Sequence, residues 1–269
     1  MTRRVTAPFI VLGSGYTGHV LYRTGTSEGR TVHVTSRNPL RKLAGVPSKL
    51  RLKFDLEQPS TWSNIRMGAD LIWCFPATPL EQVQAFTRRF DAQTRRIVVL
   101  GSTSAYEVSD QSAEYPPPWI DESAPINLCK PRVKGEEYLR NKLGAIVLRV
   151  AGIYGPRRNP LDWIRHRRVS PSRKYVNLIH VEDLAGICLA ALEKGKPGEV
   201  YNVSDGTPRT WEQICETTQQ RWGVAVTAIT ENRSSGKRIS NAKLRAELGY
   251  TFKHPDLYEA LALIESGTE

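Results

Sequence analysis

The residues best suited to chemistry lie near the start of the chain. Gly13-Ser14-Gly15-Tyr16-Thr17-Gly18 places glycine at the first, third and sixth positions, directly after the apolar run Phe9-Ile10-Val11-Leu12. That spacing has a mechanical meaning. The first glycine permits a tight turn, the second lets backbone approach a pyrophosphate, and the third lets a following helix pack on the strand. The positive end of that helix then faces the phosphate charge. Gly13, Ser14, Gly15, Tyr16, Thr17 and Gly18 are therefore the expected cradle of a dinucleotide.

The end of the second apolar run reads Thr35-Ser36-Arg37, with no carboxylate nearby. An acid at this point would accept hydrogen bonds from an adenosine ribose. A hydroxyl and a guanidinium instead suit a 2′-phosphate, so Ser36 and Arg37 favour NADP over NAD, which stays open. Asp55, after the run 50–54, is placed to meet the adenine edge; a plain strand-end turn is its competing use.

Residues 157–174 hold Arg157, Arg158, Arg165, Arg167, Arg168, Arg173 and Lys174 against one acid, Asp162. A positive cleft would draw an anionic small molecule, phosphorylated or nucleotide-linked. A solvated basic loop is the other reading. Trp163 within the run could stack on a base, and the formal net charge of +11 would support phosphate binding. No nucleic-acid motif accompanies them, so RNA is the lesser partner class.

The elements that must position these residues follow from periodicity. The 269 residues are 40% hydrophobic, enough for a real core, and carry no low-complexity tract, which excludes disordered and fibrous classes. Short apolar runs at 9–12, 31–35, 50–54, 71–75, 97–100 and 145–150 alternate with stretches of helical spacing such as 80–90 and 133–143. Alternation of this kind predicts an α/β fold, a doubly wound parallel sheet of the Rossmann type. Residues 1–150 form the expected dinucleotide-binding domain, with 175–203 returning to it. Residues 151–174 and 204–269 form a smaller substrate lobe, with helices expected at 210–222, 243–248 and 256–264.

Four separated cysteines, Cys74, Cys129, Cys188 and Cys215, contain no Cys-x-x-Cys pair. They read as small buried thiols in a reducing compartment, with no metal expected. Arg3 and Arg4 before the run 8–12 imitate a signal peptide, but the run is too short and enters a glycine turn. No apolar stretch approaches the roughly 20 residues of a membrane span. Cytoplasm is the default, and a homodimer is allowed.

Several segments together resemble the extended short-chain dehydrogenase/reductase superfamily, the NAD-dependent epimerase/dehydratase group. They are the glycine turn, the run 97–100 with Gly101-Ser102-Thr103-Ser104-Ala105-Tyr106, and Leu148-Arg149-Val150-Ala151-Gly152-Ile153-Tyr154-Gly155-Pro156. Ile179-His180-Val181-Glu182-Asp183-Leu184-Ala185 and Val200-Tyr201-Asn202-Val203-Ser204-Asp205-Gly206 continue the series. The resemblance implies a nicotinamide oxidoreductase or epimerase in which a Tyr is general acid/base. A Lys four residues later lowers its pKa, and a Ser, here Ser102, orients the substrate oxygen.

The chain departs from that pattern. The region expected to carry the Tyr reads Asn127-Leu128-Cys129-Lys130-Pro131-Arg132-Val133-Lys134-Gly135-Glu136. Matching Glu136 to the family's helix glutamate puts Leu128 at the Tyr position and Arg132 at the Lys position; without that adjustment the spacing gives Lys130 and Lys134. Tyr138 and Lys142 keep the spacing but sit at the wrong end of the helix, about 15 Å along its axis from the expected place. Lys130, Cys129, Tyr106 or Tyr154 is then the expected proton donor, Lys130 foremost, with Arg132 a ribose or phosphate contact. The rival implication is a cofactor-binding sensor or scaffold without turnover. His180 and Asn202 read as structural.

Overall fold

The computed structural model describes residues 8–66, 68–89, 96–107, 114–226 and 235–267. Arg3, Arg4 and Phe90 of the sequence reading lie outside them. Runs rich in Val and Ile become strands because branched side chains fill a sheet covered on both faces. In chain order the first elements are β1 (Phe9–Leu12), α1 (Tyr16–Ser27), β2 (Val32–Ser36), α2 (Pro39–Lys42), β3 (Arg51–Lys53), β4 (Asp70–Trp73), α3 (Leu80–Thr87) and β5 (Ile97–Ser102). Then come β6 (Trp119–Ile120), α4 (Pro131–Leu143), β7 (Ile146–Val150), β8 (Gly152–Tyr154), α5 (Pro160–Arg165), β9 (Tyr175–Val176), β10 (Leu178–His180) and α6 (Val181–Lys194). The chain continues with β11 (Val200–Val203), β12 (Arg209–Thr210), α7 (Trp211–Trp222), β13 (Arg238–Ile239), α8 (Ala242–Leu248) and α9 (Leu257–Glu265).

Seven strands form one sheet in the order β11-β7-β5-β4-β1-β2-β3. The pairs β1/β2, β2/β3, β1/β4 and β4/β5 are parallel. The chain steps outward from β1 to β3, then crosses to β4 on the other side of β1. Connections leaving adjacent strands in opposite directions open a crevice beyond the carboxyl ends of β1 and β4. This is the doubly wound architecture expected from the periodicity.

Two compact units divide the chain, one of residues 1–105, 126–149 and 185–201, the other of 106–125, 150–184 and 202–269. The first buries Ile10, Leu12, Leu71, Trp73, Phe86 and Val99 in one cluster. Phe86 is its aromatic hub, with ring centroids 5.0 Å from Phe54 and 5.5 Å from Trp62. The second packs Leu161, Ile164, Ile214, Leu257 and Leu261 from α5, α7 and α9. It also holds the short pairings β8/β10, β9/β12 and β6/β13.

Local signals located α7 well. Thr210 Oγ1 accepts the Gln213 N–H at 3.2 Å and Gln213 Oε1 accepts the Thr210 N–H at 2.8 Å, a reciprocal cap. The stretch 175–180 forms two short strands, β9 and β10, and α6 begins directly at Val181. β8 gave no signal, since Gly152 reads as a breaker; its place is set by pairing with β10. Among the described residues no helix is long and apolar enough to cross a membrane.

Helix α1 sits hard against the turn before it. A Cβ on Gly18 would lie 2.1 Å from the Gly13 carbonyl oxygen, which is backbone and cannot swing aside. Gly18→Ala should therefore cost about 1–3 kcal/mol of stability through overpacking, read as a lower urea midpoint at unchanged slope.

Candidate functional site

The turn after β1 is built by three separate constraints. Gly13 has φ +99°, a left-handed conformation that favours glycine. Its N–H donates to Thr35 Oγ1 at 2.8 Å, which ties the turn to the end of β2. Gly18 permits the close approach described above. Gly15 differs from both: its φ is −71°, it is exposed, and no atom beyond its immediate chain neighbours lies within 4 Å of where its Cβ would stand. No packing contact within the protein requires glycine there.

Gly15 is also the N-cap of α1, which has no side-chain cap hydrogen bond and no acid in its first turn. The positive end of a 12-residue helix is thus presented without a counter-charge from its own first turn. Beside it lies a cavity of about 550 Å³, lined among others by Gly13, Ser14, Gly15, Phe75 and Thr78. Tyr16, Thr17 and Gly18 are not among its lining residues; Thr17 and Gly18 are buried behind the turn.

Ser36, Arg37, Asn38 and Lys42 line the same cavity. Asn38 Oδ1 accepts the Arg41 N–H at 3.3 Å and Pro39 opens α2, so one turn carries Lys42 back toward Arg37. Neither cation makes an ion pair among the described residues. Asp55 lines the cavity, and its carboxylate also accepts the Glu57 N–H at 3.1 Å, a strand-end turn contact. Lys42, Phe75, Thr78 and Glu57 were missed; the Asn38-Pro39 helix start was the one signal that could have found Lys42.

The candidate reacting end lies at the end of β5 and the start of α4. Ser102 Oγ accepts the Ser104 N–H at 3.1 Å, which leaves its own hydroxyl hydrogen to donate elsewhere. Lys130 is the N-cap residue of α4, and its Nζ donates to the Ser104 carbonyl. One residue, Ser104, therefore connects the two catalytic candidates. Leu128 is 54% exposed and has no proton to exchange.

Arg132 Nε pairs with Glu136 Oε1 at 3.1 Å, while its terminal nitrogens bond no other described residue. Glu136 is 1% exposed and packs where a Cβ on Gly101 would stand, 2.7 Å from its Oε2. Burial raises its pKa, opposed by the charges of Arg132 and Arg149. Tyr138 packs against the core of the first unit. Tyr106 is buried in the second unit and donates to Asn202 Oδ1 at 2.6 Å. Tyr154 is buried with its ring on His180, and Cys129 is exposed. Cys188 and Cys215 are buried as expected, but Cys74 is only half-buried and Cys129, in the turn before α4, stands in solvent.

In the second unit the basic run is divided in use. Arg165 pairs with Glu265 at 3.0 and 2.5 Å, and the Arg173 guanidinium lies 3.9 Å over the Tyr115 ring. Trp163 packs on the apolar cluster and edge-on to Trp211 at 6.2 Å, so the indole considered for base stacking is engaged in the core. Arg157, Arg167, Arg168 and Lys174 make no ion pair among the described residues.

His180 is fully buried, 3.8 Å from the His254 ring, and its pKa is lowered to about 3, chiefly by burial and then by His254. The unfolded chain, near the ordinary 6.5, binds that proton more readily. This contribution to stability is complete above pH 6.5 and is lost as pH falls toward about 3. Below pH 6.5 the wild type should lose up to about 1.4 kcal/mol more per pH unit than His180→Gln, measured by urea titrations across that window.

The sheet order and the glycine turn at its switch point are those of a doubly wound Rossmann fold, which the chain shares with solved proteins of the short-chain dehydrogenase/reductase superfamily and of the NAD-dependent epimerase/dehydratases. No protein-family model matches the chain. A functionally unknown conserved protein from Silicibacter pomeroyi DSS superposes with TM-score 0.79 at 25% identity, over 97% of this chain and 99% of that one. A protein of Methylobacillus flagellatus assigned to the NAD-dependent epimerase/dehydratases gives 0.74 at 23% identity, over 98% and 99%. An Agrobacterium tumefaciens superfamily protein with bound NAD gives 0.76 at 17%, over 97% and 98%. Protein YeeZ of Escherichia coli K12 is 26% identical over 165 residues, 60% of this chain. The matched stretch spans 59% of the length of that curated relative.

Proposed function

We propose that the chain binds NADP(H) across the 13–18 turn and catalyses a nicotinamide-dependent oxidoreduction or epimerisation, as an atypical extended short-chain dehydrogenase/reductase. The observation that carries this reading is Gly15, an exposed glycine of ordinary φ at an uncapped helix end beside a cavity. A ligand phosphate that must touch backbone accounts for it. NAD in the Agrobacterium structure supports the cofactor class. Arg37 and Lys42, without ion-pair partners among the described residues, support the 2′-phosphate form.

When bound, a nicotinamide coenzyme supplies or accepts a hydride. The chain's own residues do the rest. Ser102 donates its hydroxyl hydrogen to a substrate carbonyl oxygen or holds the corresponding alcohol. Lys130, linked to Ser102 through Ser104, holds the proton that replaces the missing tyrosine's. Arg132 carries a fixed charge for ribose or phosphate, oriented by Glu136. The substrate is an anionic small molecule, phosphorylated or nucleotide-linked, a reading supported by Arg157, Arg167, Arg168 and Lys174. The protein works in the cytoplasm, alone or as a homodimer.

A second reading, a cofactor-binding sensor without turnover, is favoured by the exposed Leu128 where the resemblance puts the tyrosine. RNA binding is the least supported, because Trp163 is packed on Trp211.

NADPH fluorescence titration should show binding by the wild type and none by Gly15→Val, whose thermal melt should be unchanged because the site is open. Retained affinity would remove the turn from the proposal. Arg37→Ala should weaken NADPH roughly 10- to 100-fold, the worth of a charged hydrogen bond of about 1.5–3 kcal/mol, and leave NADH little changed. In a carbonyl screen for NADPH oxidation, Ser102→Ala should lower the rate about a hundredfold. An unaffected rate would remove Ser102, and silence across the screen with intact NADPH binding would favour the sensor.

A further inference from the structure

We propose that the second unit holds a separate site for a flat aromatic anion, with Trp119 as the stacking surface and Arg245 as the charge partner. The two side chains line an open surface depression of about 710 Å³. Every residue lining it belongs to the second unit, so the inference stands apart from the dinucleotide reading.

The indole is held in place from one side. β6 and β13 pair in parallel with Trp119 opposite Arg238. Arg238 Nε donates to the Pro117 carbonyl at 2.6 Å, and its guanidinium carbon lies 5.0 Å from the Trp119 ring centroid. Trp119 is nevertheless 52% exposed. With a guanidinium over one face, that exposure falls on the opposite face and the edges. The cation also draws electron density from the ring, which makes the open face a better partner for an electron-rich or anionic ring.

The other walls leave room for such a ring. Ala242 and Ala246, one turn apart on α8, contribute only methyl groups. Gly206 has φ +83°, and a Cβ there would come within 2.9 Å of Asn241 Nδ2. Part of the polar lining at the base is engaged within the protein. Asn241 Nδ2 donates to the Ser204 carbonyl at 2.8 Å, and Ser240 Oγ accepts the Ala242 N–H at 3.3 Å. Arg245, exposed on the same helix, makes no ion pair among the described residues. Recognition therefore falls to one apolar plane and one cation, the complement of an aromatic carboxylate or aryl phosphate.

The test is calorimetry on the full chain with NADPH saturating, using 2-naphthoate, 1-naphthyl phosphate and neutral 2-naphthamide as probes. At least one anion should bind saturably in the millimolar range or tighter, and the amide about tenfold more weakly. Preference for the carboxylate would point to an aromatic acid, and preference for the phosphate to a nucleotide-like ligand. Arg245→Gln should abolish the advantage of anion over amide. Trp119→Leu should weaken all three probes about tenfold. No saturable binding of either anion would overturn the proposal, as would binding indifferent to both substitutions. Should Trp119→Leu fail to fold, Arg245→Gln, a change at an exposed side chain, still decides the question.

Discussion

The positive end of α1 organises the first unit. Its first-turn N–H groups lack a side-chain cap, and the Gly18 contact with the Gly13 carbonyl keeps turn and helix closed on each other. The Gly13 N–H bond to Thr35 then fixes the turn to the neighbouring strand. A local arrangement of this kind has value only where the sheet leaves space above it. The crossing of the chain from β3 to β4 creates that space, because β1 and β4 are adjacent while their connections diverge.

The candidate reacting end follows a different logic. The stretch 125–137 carries no tyrosine where the resemblance implies one. Instead, backbone groups of Ser104 link Ser102 to Lys130, and a buried Glu136 fixes Arg132 one helical turn away. Burying a carboxylate is costly unless it is paired, and Arg132 and Arg149 both act on Glu136 in the stabilising direction. The absence of a side chain on Gly101 gives that carboxylate its place. The arrangement places an obligate cation next to the strand that ends in Ser102.

Some of this was legible in the residues themselves. The glycine spacing, the apolar runs, the Asn38-Pro39 start and the Thr210 cap are local signals whose meaning depends on a few adjacent dihedrals and hydrogen bonds. The pairing of β8 with β10 was hidden because Gly152 reads as a turn when its partner strand is out of view. Trp163 looked like a stacking residue for the same reason, since Trp211 lies far along the chain and near in space.

The sequence by itself determined the periodicity of a parallel α/β sheet, the turn that opens it, and the absence of a tyrosine where the resemblance requires one. Tertiary structure decided which cations stand together. It brought Lys42 to the cavity of Arg37, committed Arg165 to Glu265, and placed Arg238 over Trp119. The physical reason is range: dihedral preference and capping act over a few residues, whereas charge pairing and stacking depend on distances that exist only after the sheet and helices have packed.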